Sequence, residues 1–161
     1  MPRAVLFIPL YIVVSQLNVS NTLFSLILIY PTFTIPYVIW MLVSYLKTIP
    51  VELEEAARID GCSRMQAMIR VVCPLAMPGI VSTLIIAFTL CWNEYLYAMV
   101  MIHSKAAKTI PLVMSEMVVA DIFAWGPMMA GAVIASIPIL IVYLVSSKQM
   151  AGGLVAGGVK G

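Results

Sequence analysis

Few residues in this chain are of a type and spacing that could do chemistry, and they do not assemble into a catalytic set. The single histidine, His103, has no cysteine, histidine or acid beside it at metal-ligand spacing. Cys62, Cys73 and Cys91 form no C-x-x-C pair, and isolated cysteines of this kind act as small apolar packers. Ser82 and Ser136 lie in apolar runs without the neighbouring base that a nucleophile requires. Neither a G-x-x-x-x-G-K phosphate loop nor an H-E-x-x-H pair occurs. A net charge of only +2 offers no basic footprint for nucleic acid. The reading is a protein without enzymatic activity, metal, cofactor or nucleic-acid partner. Two polar stretches are left to carry function, residues 50–74 and the tetrapeptide Trp92-Asn93-Glu94-Tyr95.

Residues 50–74 read PVELEEAARIDGCSRMQAMIRVVCP. Seven charged residues fall between Val51 and Arg70: Glu52, Glu54, Glu55, Arg58, Asp60, Arg64 and Arg70. The pattern predicts two short helices joined by a glycine. Pro50 suits a first helical position, where its missing N–H costs nothing. The acids that follow favour the positive end of the helix dipole. Glu54 and Arg58 stand at i and i+4 in the favourable order. Gly61 can take the left-handed conformation that ends a helix. Ser63 with Gln66 has the form of a capping box. Met65, Met68, Ile69 and Val72 can form one apolar stripe, and Pro74 should stop the ladder. On geometry alone, an ordinary connecting loop would look the same.

Glu55-Ala56-Ala57, three further residues and then Gly61 resemble the EAA signature of the permease subunits of bacterial ABC importers. The family signature continues with nine residues and an I-x-L-P ending; here nine residues follow Gly61 before Val71-Val72-Cys73-Pro74 completes the stretch. Val71 and Cys73 depart from the pattern but stay apolar. The run Glu54 to Gly61 is most similar to the carbohydrate-importing, maltose-type branch. The resemblance implies that Glu55, Ala56, Ala57, Arg58, Asp60, Gly61 and Pro74 belong to a loop that docks on a separate ATPase. It further implies an ABC ATPase dimer, a second permease subunit and an extracytoplasmic solute-binding protein as partners.

The elements that must position these stretches are apolar. The chain is 63% apolar and 10% charged, against about 25% charged in a soluble domain, and its mean hydropathy is +1.07. The expected fold is all-α, a polytopic transmembrane bundle of about four spans near 4–19, 23–46, 76–101 and 127–146, with two short cytoplasmic coupling helices. A single permease domain, 1–161, would then comprise these spans, a cytoplasmic coupling loop at 47–75, an outer loop at 103–126 and a tail at 147–161. Arg3, Lys47, Arg58, Arg64, Arg70, Lys148 and Lys160 fall on one side of this topology, and Lys105 and Lys108 on the other. The excess puts the coupling loop and the C-terminus in the cytoplasm, and the resemblance implies a bacterial inner membrane for the spans. The first apolar run is short for a span, which takes about 20 residues. The resembling permeases are much longer and have six spans, so an N-terminally truncated chain is expected, with Met1 near the start of the third helix.

Pro31 and Pro36 should kink the second span. Gly131, with Ala130, Ala132 and Ala135, would allow close helix approach in the last one. The glycine-rich tail from Ala151 to Gly161 should be flexible. Residues 110–120 could form an amphipathic helix along the outer surface.

Glu94 lies within the third span, where a carboxylate is costly unless it faces protein or water. Trp92, Asn93, Glu94 and Tyr95 also resemble the W-N-E-[FY] stretch of carbohydrate permeases, in the helix that lines their path. The resemblance makes these residues a candidate substrate path. The function that follows is a permease subunit of a sugar importer, coupled through residues 51–72 to ATPases. The alternatives are a standalone polytopic membrane protein, either scaffold or secondary transporter, and a permease for a non-sugar solute.

Overall fold

A computed structural model of the protein describes residues 3–119 and 122–157. Apart from one pair of two-residue strands, its regular elements are helical. In chain order, apart from short 3-10 turns at Arg3–Leu6 and Lys105–Ala107, they are α1 (Phe7–Gln16), α2 (Leu23–Ile29), α3 (Pro31–Leu46), α4 (Val51–Ile59), α5 (Arg64–Ala67), a π-helical segment (Met68–Val72), α6 (Cys73–Trp92), α7 (Leu96–Met101), α8 (Ile110–Glu116), β1 (Val118–Val119), β2 (Ile122–Phe123) and α9 (Trp125–Gly157). The strands pair antiparallel, Val118 opposite Phe123 and Val119 opposite Ile122. Three stretches are long and apolar enough to cross a membrane: Leu23–Leu46, Arg64–Trp92 and Trp125–Ser147.

The all-helical architecture follows the sequence expectation, with four corrections. The first run makes a helix of only 10 residues, Phe7–Gln16, too short to span. Pro74 does not stop its helix. The Cys73 N–H donates to the Met68 carbonyl five residues back, and this wider turn carries the chain past a residue with no N–H to give. The second coupling helix is therefore the start of the spanning helix rather than a separate piece. That spanning helix ends at Trp92, and α7 begins only at Leu96, so the span expected over 76–101 is interrupted at Asn93–Tyr95. Finally, α9 runs to Gly157, so the tail is helical that far. Gly158 to Gly161 lie outside the described residues, as does Asp121 of the outer loop.

The chain divides into two compact units. The first, Met1–Ile35 with Thr89–Leu140, has a core of Val14, Leu26, Ile29, Tyr97, Ala98, Met101, Ile102 and Leu112. Tyr97 is its hub. Phe7 meets the Tyr97 ring edge-on at 4.6 Å, and Phe33 stacks on it at 5.7 Å. Such aromatic pairs contribute roughly 0.5–1.5 kcal/mol beyond their burial. The loop after α1 closes on the loop after α7. Asn21, in a left-handed conformation at φ 61°, accepts the N–H groups of both His103 and Ser104 at 2.7 Å. The Asn21 N–H donates to the Met101 carbonyl at 3.2 Å. In the same unit, Gly131 faces the Met114 side chain of α8. Lys108 pairs with Glu116, its side chain mostly covered.

The second unit, Pro36–Phe88 with Ile141–Gly161, carries the charged island. At the far end of α3 the Tyr45 ring lies flat on Gly79 of α6, so close that a Cβ there would come within 2.3 Å of it. Pro36 sits inside α3. Near the two prolines of this span, Thr32 donates to the Ile29 carbonyl at 2.7 Å and Thr34 to that of Tyr30 at 2.8 Å. Through Ser147, α9 has no buried residue. Met129, Val133, Ile134, Ile137, Leu140, Ile141, Leu144 and Val145 are exposed. A helix apolar on every side is stable in hydrocarbon, not in water.

Candidate functional site

The first helix, the glycine turn and the capping box of the island form where the sequence predicts them. Pro50 takes the N-cap position rather than the first helical one, so α4 begins at Val51. Glu52 and Glu54 stand in its first turn and Arg58 in its last, which complements the dipole at both ends. The helix ends in a Schellman motif. The Cys62 N–H donates to the Ala57 carbonyl at 3.0 Å, and the Gly61 N–H to that of Arg58 at 3.1 Å. Gly61 has φ +91°, with no atom near enough to meet an added Cβ. Backbone angle, not space, reserves this position for glycine. Ser63 and Gln66 then form both bonds of the capping box, at 3.3 and 2.9 Å.

Turn and cap together fold α5 back against α4, with Ala57 and Ala67 buried. Of the residues singled out, Ala57 alone is packed inside; Glu55, Ala56, Arg58, Asp60, Gly61 and Pro74 are exposed. Glu55, Arg58, Ile59, Cys62, Ser63 and Arg64 line one shallow hollow. The Glu54 carboxylate does not pair with Arg58. It approaches Arg64 across the glycine turn at 4.0 Å, with the arginine side chain 88% exposed. An ion pair so open to solvent adds little. The apolar side chains face outward: Ile59 is 86% exposed, Met65 68% and Ile69 59%. The expected stripe of Met65, Met68, Ile69 and Val72 is bent by the π-helical segment, and Val72 is half-buried.

The second candidate stretch is also ordered by its backbone. Trp92 is the last residue of α6, and Asn93, Glu94 and Tyr95 occupy the interruption before α7. The Trp92 indole N–H donates to the Ala135 carbonyl of α9 at 3.0 Å. That carbonyl lies three residues before Pro138, which disturbs the helical ladder there. Glu94 is 9% exposed. Its carboxylate accepts the Tyr97 N–H at 3.0 and 3.1 Å and the Ala98 N–H at 3.2 Å. It thus caps α7, and Tyr30 and Cys91 are its side-chain neighbours. Asn93 is exposed and donates its amide to the Thr89 carbonyl at 3.0 Å. Tyr95 is half-buried. Sequence reasoning missed Asn21 and the contact of Tyr45 with Gly79. Asn21 had one signal, since asparagine tolerates the left-handed region better than most residues. No group of His, Cys, Asp and Glu suited to a metal occurs among the described residues.

The sequence has known relatives. The family described as "Binding-protein-dependent transport system inner membrane component" matches residues 1–150. The inner membrane ABC transporter permease protein YcjP of Escherichia coli (strain K12) is 38% identical over 156 residues, which cover 97% of this chain and 56% of that protein. The trehalose transport system permease protein SugB of Mycobacterium tuberculosis is 35% identical over 162 residues, 99% of this chain and 59% of that protein. The trehalose/maltose transport system permease protein MalG of Thermococcus litoralis is 35% identical over 150 residues, 92% of this chain and 54% of that protein. The chain thus spans little more than half the length of these relatives. With a match that extends through the island, the interrupted helix and most of α9, the chain belongs to the inner membrane components of binding-protein-dependent ABC transport systems.

Proposed function

We propose that the chain is part of a permease subunit that moves a sugar across the inner membrane, driven by ATPase subunits that dock on residues 51–72. The observation that carries the coupling role is the α4–Gly61–α5 turn. It is rigid, closed by a Schellman motif and a capping box, and it presents Ile59, Met65 and Ile69 to solvent beside the Glu55 carboxylate. Apolar side chains this exposed next to well-built turns mark a protein-binding surface. In this reading Glu55 is the polar anchor, Gly61 sets the angle, and Arg58, Asp60 and the two alanines shape the docked face. Pro74 lies where the docking element passes into the span. Closure of the ATPases would move the turn, and the spanning helix continuous with it would carry the motion into the membrane.

The partners are an ATPase dimer, a second permease subunit and an extracytoplasmic solute-binding protein. The island and the C-terminus face the cytoplasm, as the lysine and arginine excess supports. Sugar as the solute rests on relatives named for trehalose, trehalose/maltose and diacetylchitobiose uptake. The substrate path would include Trp92, Asn93, Glu94 and Tyr95, where a span is interrupted. The test is uptake of radiolabelled maltose, trehalose and diacetylchitobiose into vesicles holding the complete assembly, with and without internal ATP. ATP-dependent uptake of one of them is expected. ATP-dependent uptake of a non-sugar solute, with none of the three taken up, would refute the sugar assignment.

A further inference from the structure

At the interruption between α6 and α7, Trp92, Asn93 and Glu94 differ in what their polar atoms are doing. Trp92 has its indole N–H on the Ala135 carbonyl. Glu94 has both carboxylate oxygens on the Tyr97 and Ala98 N–H groups. Without an acceptor, those two N–H groups would be orphaned at the start of a helix packed into an apolar core. The two side chains therefore bracket the interruption, one against α9 and one against α7. Asn93 stands between them and differs from both. It is exposed, and although its amide nitrogen donates to Thr89, its oxygen has no partner among the described residues.

An exposed amide oxygen where a spanning helix breaks off is unfavourable against lipid and acceptable against water or a polar solute. We infer that Glu94 and Trp92 are positioning residues that hold the helix open between α6 and α7, and that Asn93 is the residue of this stretch that meets the transported solute. The inference rests on the permease reading above and assigns roles within its path. A hydroxylated solute suits the amide, because it can donate to the oxygen.

The roles separate experimentally in the complete transporter assembled with its partners. Losing one neutral hydrogen bond to the solute weakens binding about three- to tenfold. Asn93→Ala should therefore raise the KM for uptake of maltose, trehalose or diacetylchitobiose by about that factor, with the maximal rate retained. Glu94→Ala should lower the maximal rate at unchanged KM. Glu94→Gln, whose carboxamide oxygen can still accept from Tyr97 and Ala98, should recover most of that rate. Trp92→Phe, which keeps the ring and loses the donor, should act like Glu94→Ala but more weakly. A raised KM in both Glu94 variants, with Asn93→Ala unaffected, would overturn the assignment.

A second measurement needs no transported sugar. Asn93→Cys, in a background with Ala at 62, 73 and 91, should react with a hydrophilic maleimide in membranes. No reaction at position 93 would overturn the inference whatever the solute. Reaction at position 93, with none of the three sugars taken up by the unaltered protein, would support the inference and count against sugar as the solute.

Discussion

At the residue scale, two glycines are irreplaceable for different reasons. Gly61 has room around it and a φ of +91° that L residues rarely adopt. A β-branched residue there should cost about 1–2 kcal/mol in backbone strain alone. Gly61→Val should leave the spans inserted, reduce co-purification of the ATPase and abolish transport. Gly61→Asn should be milder, because asparagine visits left-handed angles more readily. Equal transport by all three proteins would remove the turn from the coupling mechanism. Gly79 is the opposite case, limited by space. Its missing Cβ leaves room for the Tyr45 ring, and Gly79→Ala should destabilise the protein by about 1–3 kcal/mol through overpacking. The check is thermal unfolding in detergent, with Tyr45→Ala as the second arm of a double-mutant cycle. If the two substitutions simply added, the contact would have no energetic weight.

At the element scale, the island is held by backbone bonds and caps more than by charge. Ser63 opens α5 through two hydrogen bonds. Ser63→Ala should cost about 1 kcal/mol, seen as faster hydrogen exchange at Gln66 and Ala67 with the spanning helices unchanged. Arg64→Ala should have little effect on exchange, because its side chain is almost fully exposed and 4.0 Å from Glu54. A larger effect from Arg64→Ala than from Ser63→Ala would reverse this ranking. The π-helical segment at Met68–Val72 makes α5 and α6 continuous. In the proposed coupling, that continuity would let a push at the turn reach the span, as separate helices joined by a loop could not.

At the scale of the whole molecule, orientation is the main expectation. Asn21 binds the backbone of His103 and Ser104, so the loop after α1 and the loop after α7 share one face. In the orientation proposed above, from the lysine and arginine excess, that face would lie outside and the island in the cytoplasm. In a background without native cysteines, Ser104→Cys should label from outside with a membrane-impermeant reagent, and Ser63→Cys only after permeabilisation. External labelling at position 63 would invert the topology and remove the island from reach of any ATPase.

Some of this was set by local rules that a chain carries in one dimension. The glycine at 61 and the Ser63–Gln66 box act within a few residues of one another, and each formed as its spacing required, whereas the Glu54–Arg58 pair did not. The apolar runs likewise determined helices, because hydrocarbon leaves the backbone no other way to satisfy its N–H and C=O groups. What depended on residues far apart in the chain was decided only in three dimensions. Glu94 reads as a lone carboxylate in a span, but where its oxygens point depended on the helix stopping at Trp92 and restarting at Leu96. Pro74 reads as a stop, but a wider turn just before it absorbed the missing donor. The partners of Trp92, Asn21 and Gly79 lie tens of residues away. No periodicity could point to them, since such contacts exist only once packing has brought the helices together.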